Sequence, residues 1–160
     1  MSGDPARRTP TGRSLRLVGA TDRVEQENVA PEDDLSLELP PQRRSVAVGR
    51  HWVVRVAAAS GVTGMANQVV ELLSSEVLAN AVLHGAAERP IRIEFESEDH
   101  TVRVSVTDSV PTRPVVLHPE PIAPAGRGMA IVEAMSHRWG VAEHPAGGKT
   151  VWFEIDLDEY

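Results

Sequence analysis

Two runs of strict alternation, separated by four residues, dictate the centre of this fold. Ile91-Arg92-Ile93-Glu94-Phe95-Glu96 is apolar at every second position, and Thr101 to Thr107 repeats the pattern with Val102, Val104 and Val106. A period of two marks a strand with one buried face. Ser97 to His100 are few enough only to turn, so the two runs are predicted to pair as an antiparallel hairpin. The apolar face of that hairpin must be covered, and the segments able to cover it come just before it. Between Arg43 and Ala59 the residues Val46, Val53, Val54 and Ala57 follow helical spacing until Ser60-Gly61 stops it. A second helix is predicted from about Thr63 to Leu83, closed by His84-Gly85 with Gly85 as its C-terminal cap.

The flanks complete the pattern. Leu35-Ser36-Leu37-Glu38-Leu39 alternates and reads as a strand ended by Pro40-Pro41. Ser109 to Ala125 contains five prolines, a density that neither a helix nor a central strand survives. It is predicted to be a long loop, and long loops inside compact domains are usually functional or disordered. Gly126-Arg127-Gly128 then opens a helix from Met129 to about Arg138. Gly140 to His144 is a predicted strand and Pro145 to Gly148 a turn. The last strand runs from Thr150 to Leu157, with Val151, Phe153, Ile155 and Leu157 inward. Strands arriving in hairpins predict an α+β fold whose sheet is mixed or antiparallel, with the helices on one face. No internal repeat or heptad array is visible. Residues 1–34 lack sustained periodicity and are expected to be a disordered tail, leaving 35–160 as one domain.

Composition excludes several kinds of chemistry. The chain has no cysteine, so disulfides, thiolate metal sites and cysteine nucleophiles are absent. Its apolar runs fall well short of the roughly 18 residues of a membrane span. It lacks the apolar stretch of a secretory signal, so a cytoplasmic location is expected. The net charge of −7 argues against nucleic-acid binding by bulk electrostatics. Residues 1–20 do carry four Arg and one Asp, but residues 21–40 follow with one Arg and seven acids. The basic start reads as a solvated tail rather than a tether to nucleic acid or membrane. Of the sixteen basic residues fifteen are Arg, and the single lysine is Lys149.

The second helix is the most informative segment chemically. Val69, Leu73, Glu76, Asn80 and Leu83 step by four, three, four and three, the spacing of one helix stripe. A carboxylate and an amide thus sit on a stripe otherwise made for the core. Burying an unpartnered carboxylate would cost several kcal/mol. Either the stripe borders solvent, or a metal, ligand, water or partner compensates. One turn apart, Glu76 and Asn80 offer hard oxygen ligands of the kind that suits Mg²⁺. Asp108 continues the parity of Val102, Val104 and Val106, so its carboxylate is expected at the inward end of a strand. There it can serve a turn or accept a hydrogen bond from an exocyclic amine. Gly128 and Gly126 allow close backbone approach, the following helix offers free N–H groups to an anion, and Arg127 adds a charge. The segment is neither a Walker A loop nor a Rossmann fingerprint.

Other residues give less. The six histidines (51, 84, 100, 118, 137 and 144) show no ligand spacing, so no zinc site is predicted. Trp52, Trp139 and Trp152 read as core or interface anchors, and Ser74 and Ser75 lack the partners of a hydrolase triad.

Taken in order, these pieces resemble one family. Glu76-Val-Leu-Ala-Asn80-Ala-Val-Leu-His84-Gly85 is similar to the N-box helix of the GHKL ATPases, which include gyrase, MutL and histidine kinases. Val106-Thr-Asp108 resembles the start of the G1 box, Gly126-Arg-Gly128-Met-Ala-Ile-Val132 the G2 box, and Gly147-Gly-Lys-Thr-Val-Trp-Phe153 the closing strand. Within that superfamily the chain most resembles small bacterial anti-sigma factor serine/threonine kinases of the RsbW and SpoIIAB type. The resemblance spans about Leu35 to Leu157. It implies a Bergerat fold, a mixed sheet under helices, with ATP and Mg²⁺ as cofactors. It implies Glu76 as general base, Asn80 as Mg²⁺ ligand and Asp108 as the adenine contact. Ser109 to Ala125 would be the ATP lid, with Gly126, Arg127 and Gly128 at its base. The implied partners are an anti-sigma factor antagonist of the STAS type, a sigma factor, and a second copy of the chain.

The sequence also departs from the family. The glycines that follow the G1 Asp are replaced by Ser109-Val-Pro-Thr-Arg-Pro114. The family's threonine after the last glycine is replaced by Lys149, with Thr150 one place later. By parity Lys149, not Thr150, shares the face of Val151 and Phe153. No phosphoacceptor histidine motif or dimerisation helix pair is present, unlike a complete sensor kinase. Two functions therefore stay open: an ATP-dependent protein kinase, and a non-catalytic nucleotide-binding module acting through protein contacts.

Overall fold

The computed structural model describes residues 35–84, 88–110 and 127–160. The expected tail, the Gly85 cap, Gly126 and nearly all of the proline-rich segment lie outside the described residues. The elements are β1 (Leu35–Leu39), α1 (Arg43–Ala59), α2 (Gly64–His84), β2 (Ile91–Glu98), β3 (Thr101–Asp108), α3 (Gly128–Met135), β4 (Arg138–Glu143) and β5 (Lys149–Asp156), then a 3₁₀ turn over Leu157–Glu159.

The five strands form one sheet in the order β1-β2-β3-β5-β4, and all four pairings are antiparallel. Of the two arrangements expected, mixed or antiparallel, the described strands adopt the second. The reason is topological. β3 and β4 point the same way and are joined through α3, but β5 slots between them and bonds to both in the opposite direction. The β2–β3 hairpin is tighter than expected. Glu98 pairs with Thr101, leaving only Asp99 and His100 in the turn. Asp99 takes a positive φ of 50°, which a short polar side chain tolerates.

Helices cover one face of the sheet. Ile93, Phe95, Val104, Phe153 and Ile155 from the strands join Val53, Val70, Leu73 and Leu78 from α1 and α2 in a single buried core. The predicted inward faces of β3 and β5 hold, except that Leu157 leaves the strand for the 3₁₀ turn and is only partly buried. The last helix is shorter than predicted. It ends at Met135 because Arg138 and Trp139 are drawn into β4, where they pair with Glu154 and Phe153.

Side-chain amides and hydroxyls fix the connections. The Ser45 hydroxyl donates to Pro40 O at 2.6 Å, tying α1 to the end of β1. The Asn67 amide donates to Val62 O at 2.9 Å and Val54 O at 3.2 Å, locking α2 to the end of α1. On the opposite face of the sheet, Glu154 is buried between Arg103 and Arg138, each guanidinium Nε donating at 2.8 Å. Burial alone would push the Glu154 carboxyl up, but hydrogen bonds and charge from both arginines outweigh it and hold the carboxyl below its usual range. Arg103 also stacks 4.1 Å from the Trp152 ring centre.

The α1–sheet contact leaves no slack. A Cβ on Gly49 would sit 2.7 Å from Ile93 Cδ1 and 2.9 Å from Leu78 Cδ1, both fully buried side chains. Glycine to alanine inside a helix ordinarily stabilises by about 1 kcal/mol. Overpacking a core costs about 1–3 kcal/mol. Gly49→Ala is therefore expected to destabilise the domain by up to about 2 kcal/mol, read by urea unfolding.

Candidate functional site

The site begins on α2, whose buried face is made by Val69, Val70, Leu73, Val77, Leu78 and Ala81. The stripe through Glu76 and Asn80 lies at the border of that face. A step averaging 3.5 residues drifts about 20° per seven residues against a 3.6-residue helix. The stripe therefore starts in the core at Val69 and Leu73 and ends in solvent at Leu83, 76% exposed and not core as expected. Glu76 and Asn80 fall between and are half-buried.

That border position gives each an unusual setting. Burial pushes the Glu76 carboxyl above its ordinary value. The Asn80 Oδ1 is buried with no hydrogen-bond partner among the described residues. A buried polar atom left unpaired costs about 1–3 kcal/mol, which makes this carbonyl oxygen a candidate ligand atom. A Cβ at Gly128 would lie 2.6 Å from Glu76 Oε2. The missing side chain at the start of α3 is thus what makes room for the carboxylate. Arg127 stands just before it, at the N-cap of α3.

The ends of β3 and β5 form the other part. Asp108 closes the inward face of β3, as parity predicts, and is cross-strand partner of Lys149. Lys149 Nζ lies 2.8 Å from Asp108 Oδ2, with the two side chains 0% and 1% exposed. The same ammonium donates to Val110 O at 3.1 Å, and Val110 N donates to Asp108 Oδ1 at 2.8 Å. Gly148, at a φ of 95°, lets the preceding turn press against the Asp108 carbonyl where any Cβ would collide.

The fold therefore joins Glu76 to Gly128, and Asp108 to Lys149. Thr150 belongs to neither pair. It lies on the opposite sheet face, 2.7 Å from both Thr107 Oγ1 and His144 Nε2. Sequence reading foresaw Lys149 inward but not its partner, although alternation in both strands would have found the pairing once their register was known. It also found no histidine ligand spacing, whereas the fold brings His137, Asp156 and Glu159 ligand atoms within 4.8 Å of one another. Their distance apart in sequence hides that grouping.

The Glu76 setting has a measurable consequence. Its folded value is raised, so protonation favours the fold, and its penalty is absent below the ordinary value of about 4.5 and grows as pH rises through the folded value. Glu76→Gln is expected to match wild-type stability in acid and to exceed it increasingly toward neutral pH. Thermal unfolding of both proteins across that range reads this directly.

Among curated proteins none matches this chain. A solved structure of the RsbU and RsbW domains of Rv1364c from Mycobacterium tuberculosis is 23% identical with a TM-score of 0.58, covering 77% of this chain and 31% of that one. The chain thus spans about a third of that protein's solved length. The catalytic domain of the histidine kinase ThkA, in a nucleotide-free form, is 15% identical with a TM-score of 0.47, covering 76% of this chain and 95% of that one. No described helix is long and apolar enough to cross a membrane. The model of the histidine kinase-like ATPase domain matches residues 39–155, a stretch from the end of β1 almost to the end of β5. The chain belongs to the histidine kinase-like ATPase domain family.

Proposed function

We propose that this protein is an ATP-binding regulator that phosphorylates a serine or threonine of a partner protein, an anti-sigma factor antagonist. The observation that carries this reading is the unpartnered Asn80 Oδ1 one helical turn from the desolvated Glu76 carboxylate. Family membership and the fold likeness to the RsbW-containing structure support it.

The donor set fits Mg²⁺, which favours uncharged or anionic oxygen and keeps several of its waters. Asn80 would hold the ion, and Arg127 with the start of α3 would face the phosphates. When bound, Mg·ATP supplies the phosphoryl group and neutralises its charge. Phosphoryl transfer asks a protein chiefly for positioning and electrostatics. Glu76 is the chain's own chemical contribution. A carboxyl pushed up by burial is a stronger base, able to take the proton from a hydroxyl presented to it. Gly128 leaves that carboxylate in place. A sigma factor held by the same regulator is part of this proposal.

A second reading, a module that acts by protein contacts without catalysis, is favoured by one observation. The Asp108 carboxylate, proposed to contact adenine, is already paired with Lys149.

Incubation with γ-labelled ATP and the antagonist encoded nearest this gene tests the kinase. Glu76→Gln is expected to lower transfer by about 100-fold or more while Mg²⁺-dependent nucleotide binding persists. Gly128→Ala, whose Cβ would displace the Glu76 carboxylate, is expected to lower transfer with little change in melting temperature. Mg²⁺-dependent binding lost in Asn80→Ala, with no transfer by wild type, would select the non-catalytic reading.

A further inference from the structure

Among the described residues, the single lysine of this chain is the most completely buried cation. Lys149 is 0% exposed and makes two contacts, 2.8 Å to Asp108 Oδ2 and 3.1 Å to Val110 O. The other Asp108 oxygen accepts Val110 N–H at 2.8 Å. Asp108 Oδ1 thus accepts a hydrogen bond from the chain itself, while Oδ2 is held by charge at ion-pair distance from the ammonium without hydrogen-bond geometry, and both side chains are buried from water.

We infer that Lys149 is a specificity-determining residue that removes Asp108 from base recognition, so that the site holds nucleotides by their phosphates with little preference for adenine. This rests on the nucleotide reading above. The argument is one of competition. An exocyclic amine is a neutral donor, and one hydrogen bond from it to a carboxylate is a modest gain. To take the Lys149 position it must strip a buried ammonium of its counter-ion, and an uncompensated buried charge is the larger loss. The ion pair cannot simply swing out to water. Lys149 and Asp108 are register partners on adjacent strands, and Gly148 packs the preceding turn against the Asp108 backbone. Val110 is bonded from both sides, its N–H to Asp108 and its carbonyl to Lys149, which fixes the chain as it leaves β3. The internal ammonium thus does the structural work that a bound base amine would otherwise do. Base discrimination is lost with it, because a site rejects the wrong analogue strongly only where it hydrogen-bonds the distinguishing group.

Equilibrium titration of the full chain with ATP and with GTP, each with Mg²⁺, tests this. Wild type is expected to bind the two within about fivefold of each other. Lys149→Thr frees Asp108 and is expected to tighten ATP by about tenfold or more while leaving GTP unchanged. A lone buried Asp108 endangers folding of that variant, so the double variant Asp108→Asn with Lys149→Met is measured beside it. It removes both charges at similar volume, and is expected to keep wild-type affinity for both nucleotides. Wild type that prefers ATP by about a hundredfold, with that preference lost in the double variant, would overturn the inference and leave the nucleotide reading intact. Absence of binding of either nucleotide to wild type and to Lys149→Thr alike, at millimolar concentration, would overturn both.

Discussion

Covering one face of an antiparallel sheet with two helices is the constraint from which the rest follows. β2, β3 and β5 present an unbroken apolar surface through Ile93, Phe95, Val104, Phe153 and Ile155. With aromatics at only 4% of residues, that surface is covered mainly by aliphatic side chains. Small and branched residues cover it well only at close range, and the absence of a side chain at Gly49 shows how close α1 lies. α2 is pressed into the same layer. Its orientation about its own axis is then set by eight buried residues, and nothing else is free to choose where Glu76 and Asn80 point.

The proposed chemistry lies where this packing runs out. A helix stripe with the wrong period must leave the core at some turn, and here it leaves between Leu73 and Leu83. Polar groups at that border are only partly solvated and incompletely partnered, which raises the Glu76 carboxyl and leaves the Asn80 oxygen without a hydrogen-bond partner among the described residues. At the end of β3 the same situation is resolved differently. Asp108 is buried outright, and the chain neutralises it from the facing strand with Lys149. One edge of the core keeps polar groups half-exposed, where the proposed ligand would sit, and the other is closed by the protein itself. That contrast is the physical basis for expecting phosphate-led binding in this member of the histidine kinase-like ATPase family.

Much of the architecture was legible residue by residue. Alternation found β1, β2, β3 and β5 to within two residues at each end, and 3.6-residue spacing found α1 and α2. The errors came where local signals compete with pairing. α3 is expected to run on to about Arg138, but β5 offers Arg138 and Trp139 ladder partners, and that captures them for β4. Four-three spacing aims Leu83 at the core, but the drift of that spacing on a 3.6-residue helix carries it into solvent. Thr150, by contrast, lies on the opposite face from Lys149, as strand parity predicts.

Sequence alone determined the element types and the family, because periodicity, turn chemistry and motif order are local properties of the chain. It placed Lys149 on the inward face without saying what an inward lysine could tolerate. Only the tertiary structure decided that its partner is Asp108, 41 positions earlier, that Val110 is held between them, and that the Glu76 carboxylate lies where a Cβ on Gly128 would sit. Whether a buried charge is neutralised, and by what, depends on which strands lie side by side and in what register. That is a property of the assembled sheet, which no single segment of the chain contains.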